Sequence, residues 1–395
     1  MGILRETLRE KVATGLAACI GCRECLRVCP VAPPSLRIAD LNQATSAGDP
    51  PQGEIARFAA ECTQCGLCVP VCPTGLERDA MVLWLRSRMD PRPREYFRLE
   101  TFGPGKSVGR KVGVAVHNLK NRGRLGQLAQ HADKRSLQPA DTLFFFGCTI
   151  FSETGMAAKV LDIADYLKTG YEVLGGLTSC CGWGHYMAGD LTRAEEMMAH
   201  VAGRIGKVAP REVVVSGSEC YAALSRIAAV YDTPFTPVTV SSWIRRNLHR
   251  FPLRHFAGTM TFHDACHTSR KLGEGEEPRR VLRQLGAMVE MPLSGAAAPC
   301  CGHHQFGVNP EQLLKLRRDR LDMAADAGAQ RMVVECVHCQ EAFSPVAVKG
   351  EVEVVSLVDL IHDLIIADSG PTPQPVHFSA PVPSNDGSRV PAEGA

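Results

Sequence analysis

Cysteine spacing is the feature that most restricts how this chain can fold. Seventeen of its 395 residues are cysteines, and they occur in short runs. Thirty-three residues separate Cys266 from Cys300-Cys301, and thirty-four separate Cys301 from the pair Cys336 and Cys339. Five thiols exceed the four ligands of a structural zinc or a cubane [4Fe–4S] cluster. Soft thiolates in this number favour iron–sulfur chemistry over the binding of hard cations.

A second pattern occurs twice near the N-terminus. Each copy reads Cys-x2-Cys-x2-Cys-x3-Cys-Pro, and the copies end at Cys29-Pro30 and Cys72-Pro73. This is the signature of two-cluster bacterial ferredoxins, in which the fourth cysteine of each run ligates the other cluster. We therefore expect two cubane [4Fe–4S] clusters. Their predicted ligands are Cys19, Cys22, Cys25 and Cys72 for cluster 1, and Cys62, Cys65, Cys68 and Cys29 for cluster 2.

From about residue 141 onward the chain repeats itself. The cysteines recur at offsets of 118, 120 and 116 residues, with Cys148, Cys180, Cys181 and Cys220 preceding Cys266, Cys300, Cys301 and Cys336. An offset this steady indicates a duplication. Within each copy, short β-branched or aromatic runs alternate with helical stretches, which predicts α/β units with parallel strands. The cysteines follow the strands, where open α/β sheets place their ligands.

The first copy is incomplete, because Ala223 stands where the second copy has its last cysteine. The four remaining thiols form a degenerate site with three open interpretations. The site is a structural relic, or it holds a cubane cluster, or it recruits Glu219 or His185 as a substitute ligand. The eight ferredoxin-type, four first-copy and five second-copy cysteines account for all seventeen. No cysteine is left for a disulfide.

The five-cysteine pattern resembles the CCG domain of heterodisulfide reductase subunits. That resemblance implies a non-cubane [4Fe–4S] cluster on the second copy, at the site of disulfide chemistry. The run from Phe262 to Arg280 is similar to the heterodisulfide reductase subunit designated D, whereas length and domain order resemble the subunit designated C of anaerobic glycerol-3-phosphate dehydrogenase. The implied fold class is α+β multidomain, with a helical two-cluster ferredoxin module followed by a duplicated α/β CCG domain.

Five segments are expected along the chain. A ferredoxin-type domain covers 1–100, a basic linker or docking segment covers 101–140, the first CCG half covers 141–255, the second covers 256–368, and a disordered proline-rich tail covers 369–395. Residues 86–124 are locally basic. This stretch is either a solvated surface or a contact for an acidic partner or an anionic membrane surface.

Histidines are the candidate proton donors, because imidazole titrates in the useful range and reduction of a disulfide or a quinone consumes protons. Five occur near the second site: His263, His267, His303, His304 and His338. His267 and His303 are the catalytic candidates, although each single histidine also fits a structural role. The sequence identifies no other catalytic residue.

A reducing cytoplasm is the expected compartment, because the cysteines fall into metal-ligand spacings rather than scattered pairs. Lys plus Arg number 44 against 42 for Asp plus Glu, and the basic stretch lacks interleaved aromatics, so nucleic acid is not an expected partner. Charged residues near the N-terminus argue against a signal peptide. The most apolar run, Val352–Ala367, carries four ionisable residues and is predicted to form an amphipathic helix rather than a transmembrane one.

These observations predict an iron–sulfur oxidoreductase subunit, similar to heterodisulfide reductase and active within a complex. Electrons would pass through the two cubanes to or from the CCG cluster, which would reduce or oxidise a disulfide, a thiol pair or a quinone. No Gly-x-Gly-x-x-Gly follows a predicted strand, so a flavoprotein or a membrane cytochrome b-type subunit is the expected partner. Such a partner could hold the chain on the inner face of the cytoplasmic membrane. The alternative is a non-catalytic relay or scaffold subunit.

Overall fold

The computed structural model describes residues 2–89, 103–104, 128, 132, 136–151, 153–231, 233–252, 255–303 and 310–365. The expected tail 369–395 lies outside these residues, and so does most of the expected docking segment 101–140. Of the locally basic stretch, only residues 86–89, 103 and 104 are described.

The N-terminal module is helical. Its helices are α1 (Ile3–Ala18), α2 (Glu24–Arg27), α3 (Ile38–Ser46), α4 (Gly53–Glu61) and α5 (Arg78–Arg86). Helix α1 packs against α5, and Leu4, Leu8 and Val12 along one face of α1 are all buried. This spacing of three to four residues is that of an amphipathic helix. The cysteine runs lie mostly in the loops between these helices, with Cys25 inside α2.

Two α/β units follow the helical module. The first half contains β1 (Thr142–Gly147), α6 (Thr154–Tyr166), β2 (Glu172–Gly175), α7 (Trp183–Ala188), α8 (Leu191–Val208), β3 (Glu212–Val215), α9 (Ser218–Val230), β4 (Thr236–Thr239) and α10 (Val240–Asn247). The second half contains β5 (Phe256–His263), α11 (Glu276–Leu285), β6 (Gly286–Met288), α12 (Pro310–Asp326), β7 (Arg331–Val334), α13 (Val337–Phe343), β8 (Glu353–Ser356) and α14 (Leu357–Ile365).

Each half has a four-stranded sheet of the same topology. The strand orders are β2-β1-β3-β4 and β6-β5-β7-β8, and every pairing is parallel. The central strand β1 is buried at all six positions, as expected for a parallel sheet covered on both faces. The shared topology confirms the predicted α/β architecture and its duplication.

The two halves share one apolar core. Helix α6 of the first half packs on α14 of the second, and α10 of the first packs on α11 of the second. One buried cluster therefore contains Phe144 together with Phe262. A separate cluster joins the helical module to the first half, since Leu8 of α1 lies in the same buried group as Trp183 and Met198.

The prediction of one helix over Val352–Ala367 is wrong in its first part. Residues Glu353–Ser356 form β8, which pairs with β7, and the helix α14 begins only at Leu357. The β-branched pair Val354-Val355 fits an edge position of the sheet, where backbone pairing outweighs the local helical pattern. Within the described residues, no helix combines the length and hydropathy needed to cross a membrane.

Candidate metal centres

The structure groups the eight N-terminal cysteines into two cavities. The first cavity is lined by Cys19, Cys22, Cys25 and Cys72. The second is lined by Cys29, Cys62, Cys65 and Cys68, with Cys25 also on its wall. The last cysteine of each sequence run therefore lies with the other run, as the ferredoxin pattern anticipates. Each cavity offers the four thiols that a cubane needs, while the assignment of individual ligands stays a prediction.

Hydrogen bonds to sulfur distinguish the first cavity. Asn42 Nδ2 and Arg78 Nη2 each donate to Cys19 Sγ at 3.2 Å. Burial opposes ionisation, yet these donors and the Gly21 N–H lower the pKa of the Cys19 thiol. Cys22 is exposed, so this cavity reaches the protein surface.

The second cavity is more deeply buried. Burial raises the pKa of the Cys62 thiol to about 11 and that of Cys29 to about 12. Arg86, which is itself buried, donates to the carbonyl oxygens of Ala59 and Cys62 and so holds the loop at Cys62. Burial alone disfavours the charged thiolate form of these residues. A bound metal cluster would stabilise that form, because its ligands are thiolates.

Five thiols converge at the carboxyl ends of β5 and β7. Cys266 follows β5, and Cys336 and Cys339 follow β7 at the start of α13. The tandem Cys300-Cys301 closes the group. Contacts join Cys266 to Cys300, Cys301 to Cys339, and Cys339 to Cys336. The neighbouring thiols of Cys300 and Cys339 lower the pKa of Cys301 below its usual value.

The tandem pair sits on a turn that requires glycine. Gly302 has φ +70°, and Gly182 has φ +79° at the matching place in the first half. Both values lie in the left-handed region that glycine adopts without steric cost. The Arg317 side chain donates to the carbonyl oxygens of Cys301 and Gly302, at 3.1 and 2.9 Å, and so holds this turn against α12.

The histidines of this site have different environments. Trp183 Nε1 donates to His267 Nε2 at 3.1 Å, while Nδ1 of the same ring lies 3.4 Å from Cys266 Sγ. This geometry favours an orienting role for His267. His263 is fully buried, and burial together with Arg320 lowers its pKa to about 3. Its imidazole is therefore neutral at physiological pH. His304 lies outside the described residues.

The remaining histidines, His303 and His338, each lie beside a carboxylate. Neither carboxylate was singled out from the sequence for proton chemistry. Glu341 Oε2 lies 2.7 Å from His303 Nε2, and Glu219 Oε2 lies 3.6 Å from His338 Nδ1. The His303 and His338 rings stack at 4.5 Å. Burial opposes protonation of His338, yet the nearby Glu219 and Cys336 raise its pKa well above its usual value. The signal available in the sequence was the spacing of His338 and Glu341, three residues apart on one helix face.

The four thiols of the first half also converge. Cys148 contacts Cys180, and Cys181 Sγ lies 3.5 Å from Cys220 Sγ. Ala223 is completely buried. The two substitute ligands considered from the sequence lie near these thiols. Cys180 and burial raise the pKa of Cys148, and Glu219 adds to this rise. Cys148 and Cys181 lower the pKa of Cys180, and His185 adds to this effect. Each substitute also has another polar neighbour, because Glu219 lies beside His338 and His185 Nδ1 lies 3.3 Å from Asp190 Oδ2. Four thiols still meet the donor number of a cubane or a tetrahedral zinc.

The three regions that carry cysteines touch one another. The thiol of Cys65, in the second ferredoxin-type cavity, lies close to the thiol of Cys300, which raises the pKa of Cys65 well above its usual value. On the other side, Ser218 Oγ of the first half donates to Cys336 Sγ at 2.9 Å. The second half therefore contacts both the helical module and the first half through its own thiols.

Comparisons with known proteins agree with this arrangement. The family model of the cysteine-rich domain CCG matches residues 142–225 and 260–344, and that of a 4Fe-4S dicluster domain matches residues 15–76. The subunit designated D of a dihydromethanophenazine:CoB–CoM heterodisulfide reductase from Methanosarcina barkeri is 23% identical over 89% of this chain and 94% of its own. The subunit designated B of a fumarate reductase (CoM/CoB) from Methanothermobacter marburgensis is 24% identical over 89% of this chain and 73% of its own.

Two further similarities are weaker in coverage or in structure. A probable membrane-anchored ferredoxin from Chromohalobacter salexigens is 26% identical over 91% of this chain and 60% of its own. Among solved structures, an aspartate racemase homologue from Pyrococcus horikoshii OT3 aligns with a TM-score of 0.29 at 10% identity. That alignment covers 56% of this chain and 96% of the other, and its TM-score is too low to support an argument.

Proposed function

We propose that the chain is an iron–sulfur oxidoreductase subunit of the CCG-domain, heterodisulfide reductase type, and that its second CCG half is the terminal electron site of a complex. The contact between the Cys65 and Cys300 thiols is the observation that carries this proposal. It joins the buried ferredoxin-type cavity directly to the five-thiol site. Electron transfer is fastest between centres that lie close together, so this proximity favours transfer from the ferredoxin-type cavity to the second half, whereas a scaffold would not need it.

The thiol sets fit the proposed cofactors. Each ferredoxin-type cavity offers four thiols for a cubane, and the second half offers five for a non-cubane [4Fe–4S] cluster. The four thiols of the first half fit one cubane or one zinc. When bound, these clusters supply one-electron transfer. The protein provides the thiolates, the donors to Cys19 and Cys336, and the burial that excludes water.

The exposed Cys22 and the buried Cys65 suggest an order for the path. A partner protein reaches the first cavity at the surface, and the second cavity lies next to Cys300. The partner we propose is a flavoprotein or a membrane cytochrome b-type subunit, which would hold this chain at the cytoplasmic face of the membrane. The relative from Chromohalobacter salexigens, described as a probable membrane-anchored ferredoxin, supports a membrane setting.

We propose a disulfide or thiol pair as the first substrate class and a quinone as the second. Reducing a disulfide takes two electrons and two protons and yields two thiols. The His303–Glu341 pair lies beside this site and is our candidate proton donor. The name of the Methanosarcina barkeri relative, which belongs to a heterodisulfide reductase, favours the disulfide class.

A non-catalytic relay or scaffold role is the second candidate function. The observation that favours it is Ala223, which removes the fifth thiol from the first half. Under this hypothesis the second half passes electrons onward to a partner and converts no small molecule itself.

Rapid mixing of the anaerobically purified, dithionite-reduced protein with candidate acceptors tests the proposal. We expect a soluble quinone analogue or one of a panel of disulfides to reoxidise the second-site cluster and to be consumed in a stoichiometric amount. Free thiol, measured with a chromogenic thiol reagent, would identify a disulfide substrate. Reoxidation by partner proteins alone, with no small-molecule acceptor consumed, would support the relay function instead.

A further inference from the structure

Arg270 lies at the junction of two cysteine loops. It belongs to the π-helical segment Cys266–Lys271 that follows β5. Its guanidinium donates to three backbone carbonyl oxygens. The acceptors are Cys65 O at 2.5 Å, Ala296 O at 2.7 Å and Ala298 O. Cys65 belongs to the helical module, whereas Ala296 and Ala298 lie in the segment that leads to Cys300. A planar guanidinium with five donors suits such a three-way bridge, because its geometry is fixed.

Lys271 makes a parallel connection one residue later. Its Nζ lies 2.8 Å from Asp79 Oδ2, and both side chains are largely shielded from solvent. Asp79 lies in the first turn of α5 and lines the second ferredoxin-type cavity. The lysine chain passes close to Gly66, where a Cβ atom would come within 3.0 Å of Lys271 Cε. Burial disfavours the ammonium, yet Asp79 raises the pKa of Lys271, so the pair is charged.

The helical module does not depend on these two residues for docking. Its packing against the first half is apolar, through Leu4, Leu8 and Trp183. Polar contacts add to this packing, since the Ile3 N–H donates to Glu195 Oε1 at 2.8 Å. Arg270 and Lys271 act instead on the loops that carry Cys65 and Cys300.

We propose that Arg270 and Lys271 are positioning residues that hold the Cys65 loop against the Cys300 loop and set the gap that electrons cross. The proposal deepens the proposed function and rests on it. In each transfer a single electron passes from the reduced centre at the Cys65 cavity to the oxidised centre of the second half. No bond forms or breaks. A low-potential donor protein supplies the electrons, and sodium dithionite replaces it in the experiment.

The test compares Arg270→Gln and Arg270→Lys with the wild type in the full-length, cluster-loaded protein. We expect Arg270→Gln to keep wild-type iron content and midpoint potentials. Transfer from the Cys65 cavity to the second half, followed by freeze-quench spectroscopy, should slow severalfold, because the rate of electron tunnelling falls exponentially as the gap between two centres widens. Magnetic coupling between the two reduced centres should weaken. Lysine keeps a positive charge and N–H donors, so Arg270→Lys should retain part of both the transfer rate and the magnetic coupling.

Arg318→Gln is the matched control. Arg318 also donates to a backbone carbonyl, that of Val346 at 3.2 Å, but within the second half and away from the cysteine loops. A second variant, Lys271→Gln with Asp79→Asn, removes the other connection without leaving a buried charge, and it should slow the same transfer.

Three outcomes would overturn the proposal. Unchanged coupling and rate in Arg270→Gln would show that the gap does not depend on this residue. Loss of iron from both the Arg270 and the Lys271 variants would show a structural requirement instead of a positioning one. If the wild-type protein transfers no electron to the second half, the proposed function itself fails, and this result is distinct from the other two.

Discussion

The thiol of Cys65 lies against the thiol of Cys300, although one belongs to the helical module and the other to the second α/β half. The contact is buried and sits between two loops that Arg270 ties together. It gives the second half direct access to a ferredoxin-type cavity. The first half meets the second half near the cysteines through Ser218, which donates to Cys336.

Ser218 should tune the second-half centre. Its hydroxyl donates to Cys336 Sγ at 2.9 Å, and hydrogen bonds to ligand sulfur stabilise the more negative, reduced state. Ser218→Ala should keep the cluster but lower its midpoint potential by on the order of tens of millivolts. Potentiometric titration measures this shift. Ser356→Ala removes a buried hydroxyl that donates to Asp359 rather than to a cysteine sulfur, and should leave the potential unchanged.

Asp264 should be needed to build the second-half site. It is bonded to Arg279 through both oxygens, at 2.7 and 2.8 Å, and accepts from the Gly295 N–H at 2.7 Å. Asp264→Ala leaves the buried guanidinium short of a partner, and breaking such a pair costs about 3–5 kcal/mol. We expect lower unfolding stability and loss of iron from the second site, with the ferredoxin-type signals retained.

Glu290→Gln is the control for that prediction. Glu290 bonds the same Arg279 at 2.7 Å, but its side chain is 42% exposed, so water can replace it. The effect on iron content should be small. Equal losses of second-site iron in Asp264→Ala and Glu290→Gln would contradict the role given to Asp264.

The first half should bind a metal with its four thiols. Two cubanes and the second site account for about twelve irons, and the first half should add either four irons or one zinc. Elemental analysis of anaerobically purified protein distinguishes these. Cys220→Ala should remove only the added metal. Twelve irons with no zinc in the wild type would return the first half to a structural relic.

The spacing of apolar and strand-forming residues predicted individual strands and helices. The run Thr142–Phe146 forms most of β1 and Leu191–Val208 forms α8, because apolar periodicity and strand-forming residues act over short distances. The crossed grouping of Cys29 and Cys72 also follows from a local motif. Each of these features depends on fewer than about twenty neighbouring residues.

Contacts between modules were not predictable in the same way. The Cys65–Cys300 contact depends on how α1 packs on the first half and how the two sheets share a core. No pattern near either cysteine encodes that packing. The strand β8 was missed for a related reason, since Val354 and Val355 pair with β7 only once the sheet is assembled.

The most direct test of the account compares Cys301→Ala with Cys180→Ala, which each remove one thiol of the tandem pair from one of the two halves. Spectroscopy and acceptor turnover are measured on the same assembled, cluster-loaded protein. Cys301→Ala should abolish the second-half signal and lower turnover by orders of magnitude, while a chemical donor still reduces both cubanes. Cys180→Ala should lower turnover much less. If Cys301→Ala folds normally and turnover persists, the second half is not the terminal electron site.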